Sequence, residues 1–116
     1  MNIDSLAFLD FVRKTISVLP AVTEAPCYGT PGFYVNKKLL ARLKEDGETL
    51  VVYSEEREVW MKSAPSIFFI TEHYRNYPYV LVNLVKVKQK DLFKLLTEAW
   101  CARAGKKLLK EWESKK

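Results

Sequence analysis

Few groups in this chain could do chemistry. His73 is the one imidazole, and Cys27 and Cys101 are the two thiols. Nucleophilic catalysis of the Ser-His-Asp or Cys-His kind needs a base beside its nucleophile, so His73 would have to serve any such site, and no motif ties it to Cys27. A single histidine among scattered carboxylates gives neither a 2-His-1-carboxylate set nor zinc-ligand spacing, so no metal and no cofactor are expected. Carboxylate pairs for glycoside cleavage are defined by their separation in space, and nothing in the sequence selects one. Without secretory context the cysteines read as reduced thiols. The chain is therefore read as non-enzymatic.

Binding has more material. Two apolar runs, Ile67 to Ile70 and Val80 to Val85, flank a segment holding His73, Tyr74, Arg75, Tyr77 and Tyr79. The rings offer stacking surfaces, and the Arg75 guanidinium can grip a phosphate or lie on a base. The net charge is +5, and residues 86 to 116 carry 10 basic against 4 acidic side chains while the remainder is close to neutral. Lys86, Lys88, Lys90, Lys94, Lys106, Lys107 and Lys110 could follow a phosphate backbone, which makes DNA the expected partner. This reading requires those lysines to share a face with the Tyr74-Arg75 loop. The competing reading is a protein-interaction or small-ligand module that uses a pocket around Tyr28, His73 and Arg75. A plainer account of the same residues has the tyrosines covering the end of a sheet, Arg75 paired with Glu72 or with a helix C-terminus, and the lysines forming a solvated helical face.

The elements that must position these groups follow from periodicity. Leu6, Leu9, Val12, Ile16 and Leu19 recur at helical spacing, predicting a helix from about Ile3 or Asp4 to Val18, with Asn2 or Asp4 as cap. Val22 to Pro26 reads as a loop or ragged edge strand, and Cys27-Tyr28-Gly29-Thr30-Pro31-Gly32 as a tight turn or bulge. It leads into a strand rather than a helix, so it is no phosphate loop. Strands are expected at Phe33 to Val35, Lys38 to Leu43 and Thr49 to Tyr53, turning at Asn36-Lys37 and at Asp46-Gly47. A short helix over about Glu55 to Ala64, capped by Ser54, comes next. Strands at Ile67 to Thr71 and Tyr79 to Val87 then enclose the aromatic loop. Leu92, Leu96, Ala99 and Trp100 mark a helix beginning near Asp91 and ended by Gly105, before a last short helix through Leu108, Leu109 and Trp112. Trp60, Trp100 and Trp112 fall at inward positions.

The order α-β-β-β-α-β-β-α-α predicts a single α+β domain over residues 1–116, an antiparallel sheet of about five to six strands covered by helices. The apolar runs fall far short of a membrane span, and the Met1-Asn2-Ile3-Asp4 start lacks a leader pattern, so a cytoplasmic address is expected, with no membrane partner.

Several blocks in register carry a family likeness. They are the Tyr28-Gly29-Thr30-Pro31 turn with Phe33, the strand Lys38 to Leu43 followed by Asp46-Gly47, and Glu56-Arg57. Pro65 with Phe68-Phe69, His73-Tyr74-Arg75, and Trp100 with Lys106-Lys107-Leu108 complete the set. In these the chain resembles the MmcQ/YjbR family of small bacterial proteins. The resemblance implies a frataxin-like α+β fold and DNA binding through a double-wing arrangement. Frataxin-like iron binding would want an acidic first helix, and here that helix offers only Asp4 and Asp10. Of the hairpin tips, Asn36-Lys37-Lys38 is basic and Glu45-Asp46-Gly47-Glu48 acidic, and which would serve as wings is left open.

Overall fold

The computed structural model describes residues 3–114, with side-chain surroundings from Leu6 onward. Helix α1 (Ile3–Ile16) leads into four strands, β1 (Thr23–Cys27), β2 (Thr30–Val35), β3 (Lys38–Leu43) and β4 (Thr49–Tyr53). Helix α2 (Arg57–Ser63), strand β5 (Phe68–Phe69), a 3₁₀ turn (Glu72–Tyr74) and strand β6 (Tyr79–Asn83) follow, and α3 (Gln89–Arg103) and α4 (Lys106–Ser114) close the chain. All six strands form one antiparallel sheet in the order β1-β2-β3-β4-β6-β5. The α+β expectation therefore holds, with one more strand than the predicted order. The Asn2 cap and the Lys115-Lys116 tail lie outside the described residues.

The extra strand is β1. It pairs with β2 through a two-residue turn in which Tyr28 (φ 53°) and Gly29 (φ 80°) are both left-handed. That is the turn whose twist matches a hairpin. Thr30, Pro31 and Gly32, expected in the turn, belong to β2 instead. Asn36 and Lys37 repeat the left-handed pair at φ 52° and 63°, so the β2–β3 turn forms without a glycine. At the acidic tip Asp46 does the turning. Its Oδ1 accepts the N–H groups of Glu48 and Thr49, both at 2.9 Å, and its Oδ2 accepts the Thr49 hydroxyl at 2.8 Å.

Successive side chains of a strand point to opposite sides, so register decides what each face carries. Ala41, Val52 and Val80 stand abreast, as do Leu43, Leu50, Val82 and Phe68. These face α1 and α3, joining Leu9, Val12, Leu92, Leu96 and Trp100 in the core. Each fully buried aliphatic side chain there contributes about 1.5–3 kcal/mol. Trp100 is the largest fully buried side chain among the described residues, and its ring N–H donates to the Pro20 carbonyl at 2.8 Å. Trp112 of α4 packs over it with ring centres 5.5 Å apart. Trp60 closes the far side against Phe68 at 5.0 Å, its N–H bonded to Glu98 at 3.0 Å.

Boundaries differ from expectation where polar bonds intervene. Ser54 does not cap α2; it is buried at the end of β4, where its N–H meets the Pro78 carbonyl at 2.9 Å, and the helix begins at Arg57. Strand β6 stops at Asn83, whose side chain accepts the Val85 N–H at 3.0 Å and turns the chain toward α3. Gly105, left-handed at φ 88°, separates α3 from α4 as predicted.

Candidate functional site

The face of the sheet turned away from α1 and α3 is the one left for a ligand. Arg42 and Val51 stand abreast there in the central strands. Leu39 extends this floor, because a register shift between Phe33 and Tyr34 leaves Leu40 unopposed and pairs Leu39 with Tyr34. Over the floor lies the loop between β5 and β6. Tyr74 and Tyr79 sit with ring centres 6.1 Å apart, and His73 packs edge-on against Tyr74 at 4.8 Å and tilted beside Tyr77 at 6.3 Å. Tyr28 reaches in from the β1–β2 turn. The cleft these groups enclose measures about 330 Å³.

One residue holds the roof in place. Arg57, at the first position of α2, directs Nη1 at the carbonyls of Tyr74 (2.9 Å), Tyr79 (3.0 Å) and Tyr77, and Nη2 at that of Arg75 (2.7 Å). Its side chain is only 14% exposed. The loop is held internally by turn hydrogen bonds such as Tyr74 N–H to the Thr71 carbonyl and Tyr77 N–H to the Tyr74 carbonyl, and four of its carbonyls find a donor in a single fixed cation.

Arg42 is the electrostatic centre of the cleft. It is 7% exposed, an unusual position for a charge unless it is paired. Nη2 meets Glu45 Oε1 at 2.6 Å, Nη1 lies a long 3.5 Å from the Tyr74 hydroxyl, and Nε has no partner. Burial pulls its pKa down, but the bonds to Glu45 and Tyr74 outweigh burial and leave it raised, so it stays cationic. The Glu45 carboxyl is held below the ordinary range, first by its own backbone N–H and then by Arg42. Tyr28 is 88% exposed in its left-handed conformation, with the Arg42 guanidinium 5.5 Å from its ring centre. A bulky residue held at positive φ and burying almost nothing costs the fold about 1–2 kcal/mol. No acidic residue is among those lining the cleft.

Of the residues singled out in the sequence, Tyr28, His73, Tyr74 and Tyr77 converge here. Arg75 does not line the cleft: it is exposed and pairs with Glu72 at 3.2 Å, as the plainer account had it. Its intended place is taken by Arg42. Cys27 is not part of the cleft either, and the Tyr34 phenol is raised chiefly by its hydrogen bond with that thiol. The seven lysines are exposed, and none forms an ion pair among the described residues. Lys86 and Lys88 lie in the turn after β6, at the opposite end of that strand from Tyr79 and next to the acidic tip, where Leu84 N–H meets the Glu48 carbonyl at 2.9 Å. Lys90 borders a groove with Lys14 of α1, and the Lys94 ammonium sits 5.8 Å from the Trp60 ring. Lys106, Lys107 and Lys110 belong to α4, beyond the 15 residues of α3, a distance of about 22 Å. Since α3 covers the opposite side of the sheet from the aromatic loop, the lysines of α3 and the tyrosines share no continuous face.

Sequence reasoning missed Arg42 and Arg57. Arg42 sits in Leu39-Leu40-Ala41-Arg42-Leu43, where one charge amid apolar neighbours is the only signal it could give. Arg57 looks like an ordinary residue of a helix start, and its partners lie 17 to 22 residues further along.

No family model matches the chain. Over 68 residues it is 34% identical to the uncharacterized proteins Rv2570 of Mycobacterium tuberculosis and Mb2600 of Mycobacterium bovis. The shared segment is 59% of this chain and 46% of each of theirs, so the chain spans about half the length of the relatives it matches. In three dimensions it is similar to the crystal structure of Deinococcus radiodurans protein DR2400, a DUF419 domain, with a TM-score of 0.69 over 91% of this chain and 87% of that one. Sequence identity to that protein is 19%, so the likeness is one of fold.

Proposed function

We propose that the chain is a cytoplasmic binding module of the MmcQ/YjbR type, without catalytic activity of its own, that takes a small planar ligand into the tyrosine-lined cleft over Arg42. The observation that carries the reading is Tyr28: an exposed ring in a strained backbone, beside a buried arginine, is costly to the fold unless something else uses it. Five aromatic rings around a floor of Leu39, Val51 and Arg42 suit a flat molecule. Of the blocks that carry the resemblance, Tyr28, Leu39 and Arg42 of the Lys38 to Leu43 strand, and His73-Tyr74 line this one cleft.

Titration with indole, followed by amide chemical shifts, tests it. Expected is roughly millimolar binding with perturbations gathered at Tyr28, Arg42 and residues 73 to 79, weakened several-fold by Tyr77→Ala. Perturbations elsewhere, or none, would refute it.

A second reading keeps DNA as partner. Its support is the set of exposed lysines without carboxylate partners, acting apart from the aromatic loop. With about four to six phosphates neutralised, log affinity should fall against log salt with a slope of roughly −4 to −5. Flat or absent binding at low salt removes it.

A further inference from the structure

We infer that the ligand of this cleft carries an oxyanion, and that the Glu45 carboxylate holds its place on Arg42 until it arrives. The inference rests on the cleft reading above and adds the ligand's charge and the mechanism of its entry.

Arg42 offers five N–H donors and finds one close partner. A buried cation cannot be left alone, because losing its partner costs far more than an exposed pair is worth. It therefore needs an acceptor at all times, which a carboxylate supplies best and an amide oxygen can supply more weakly. The carboxylate it has comes from a side chain that is 64% exposed at a hairpin end, three residues along the chain. Glu45 can swing out and be hydrated, while Arg42 on its strand cannot follow. The exchange keeps Arg42 paired throughout: as the ligand's oxyanion reaches the guanidinium from the cleft, on the side where Nη1 faces Tyr74, Glu45, which lies outside the cleft lining, is released from Nη2.

Charge selects the same kind of ligand. The lining has no acidic residue to meet a cation, and Arg42 and His73 are its nitrogen-bearing side chains. Tyr28 stands beside the guanidinium, so a ring attached to the oxyanion lies against Tyr28 and Tyr77 when its charged end is on Arg42. That contact is what Glu45 lacks, and it gives the incoming group its advantage. Carboxylate and phosphate share this chemistry.

The test compares 1-naphthoate, 1-naphthyl phosphate and the neutral isostere 1-naphthamide on the wild-type chain and on Glu45→Gln, by shift titration. On the wild type, naphthoate or the phosphate should bind roughly tenfold more tightly than the amide, and whichever is tighter identifies the oxyanion. Glu45→Gln removes the competitor without removing the hairpin. It should strengthen the anions by about five- to tenfold and leave naphthamide unchanged. Equal binding of all three probes in the cleft would overturn the inference and leave the cleft reading intact. Weaker anion binding in Glu45→Gln would show that Glu45 assists the ligand, and would equally overturn it. If no probe perturbs the cleft, both readings fall.

Discussion

Replacing Arg57 by alanine is the sharpest test of how the roof of the cleft is built. The side chain donates to the carbonyls of Tyr74, Arg75, Tyr77 and Tyr79 from a position only 14% exposed. A hydrogen bond from a charged group contributes about 1.5–3 kcal/mol, but four such values cannot be summed. Arg75 and Tyr77 are exposed, so their carbonyls turn to water once the guanidinium is gone, whereas Tyr74 and Tyr79 are half-buried and lose more. A loss of about 2–4 kcal/mol is expected in urea unfolding. Its distribution matters more than its size. Amide hydrogen exchange should accelerate over residues 72 to 79 well before β3 and β4 are affected, because the helix-facing core makes no use of Arg57. Arg57→Lys should recover less than half of the loss, since one ammonium cannot span carbonyls that a planar fork reaches together. A change below about 0.5 kcal/mol, or unaltered exchange in the loop, would refute the account of Arg57 as its anchor.

Two further outcomes follow from turns. Tyr28→Gly relieves a left-handed side chain while adding freedom to the unfolded chain, so stability should stay within about 1 kcal/mol of wild type as indole affinity drops several-fold. Destabilisation beyond about 2 kcal/mol would make Tyr28 a structural residue instead. The Asp46 carboxyl is pushed up by burial, but the N–H groups of Glu48 and Thr49 and the Thr49 hydroxyl outweigh this and leave it lowered. Its stabilising effect is therefore fully present above the unfolded carboxylate value of about 4 and is lost as pH falls through the lower folded value. Urea unfolding of Asp46→Ala should show a deficit of about 1–2 kcal/mol at neutral pH that shrinks toward pH 2–3; a constant deficit would contradict the assignment.

Much of the fold was legible because its signals are local. The stripe through Leu9, Val12 and Ile16, the Leu92 to Trp100 face and the Gly105 stop each depend on spacing within one element, and each is found in place. Strand β1 was ambiguous because Thr23 to Pro26 is exposed along its length and carries a proline, so nothing in its side chains marks it as paired; its register comes from the backbone of β2. The end of β6 was overestimated because the apolar run continues past Asn83, where a side-chain bond to the backbone turns the chain. Within the cleft, aromatic composition pointed to Tyr28, His73, Tyr74 and Tyr77. The cation was misassigned to Arg75, its neighbour in sequence, because pairing Arg42 with Tyr74 takes a contact across 32 residues.

The alternation of the central strands divides labour by parity. Ala41 and Leu43 serve the helices, while Arg42 between them serves the opposite surface, and Leu50, Val51 and Val52 repeat the arrangement. Mutational drift at the middle positions can thus reshape what the open surface accepts without disturbing the layer that makes the domain fold. Packing constrains one side of these strands far more tightly than the other, so the two surfaces of one sheet answer to different demands.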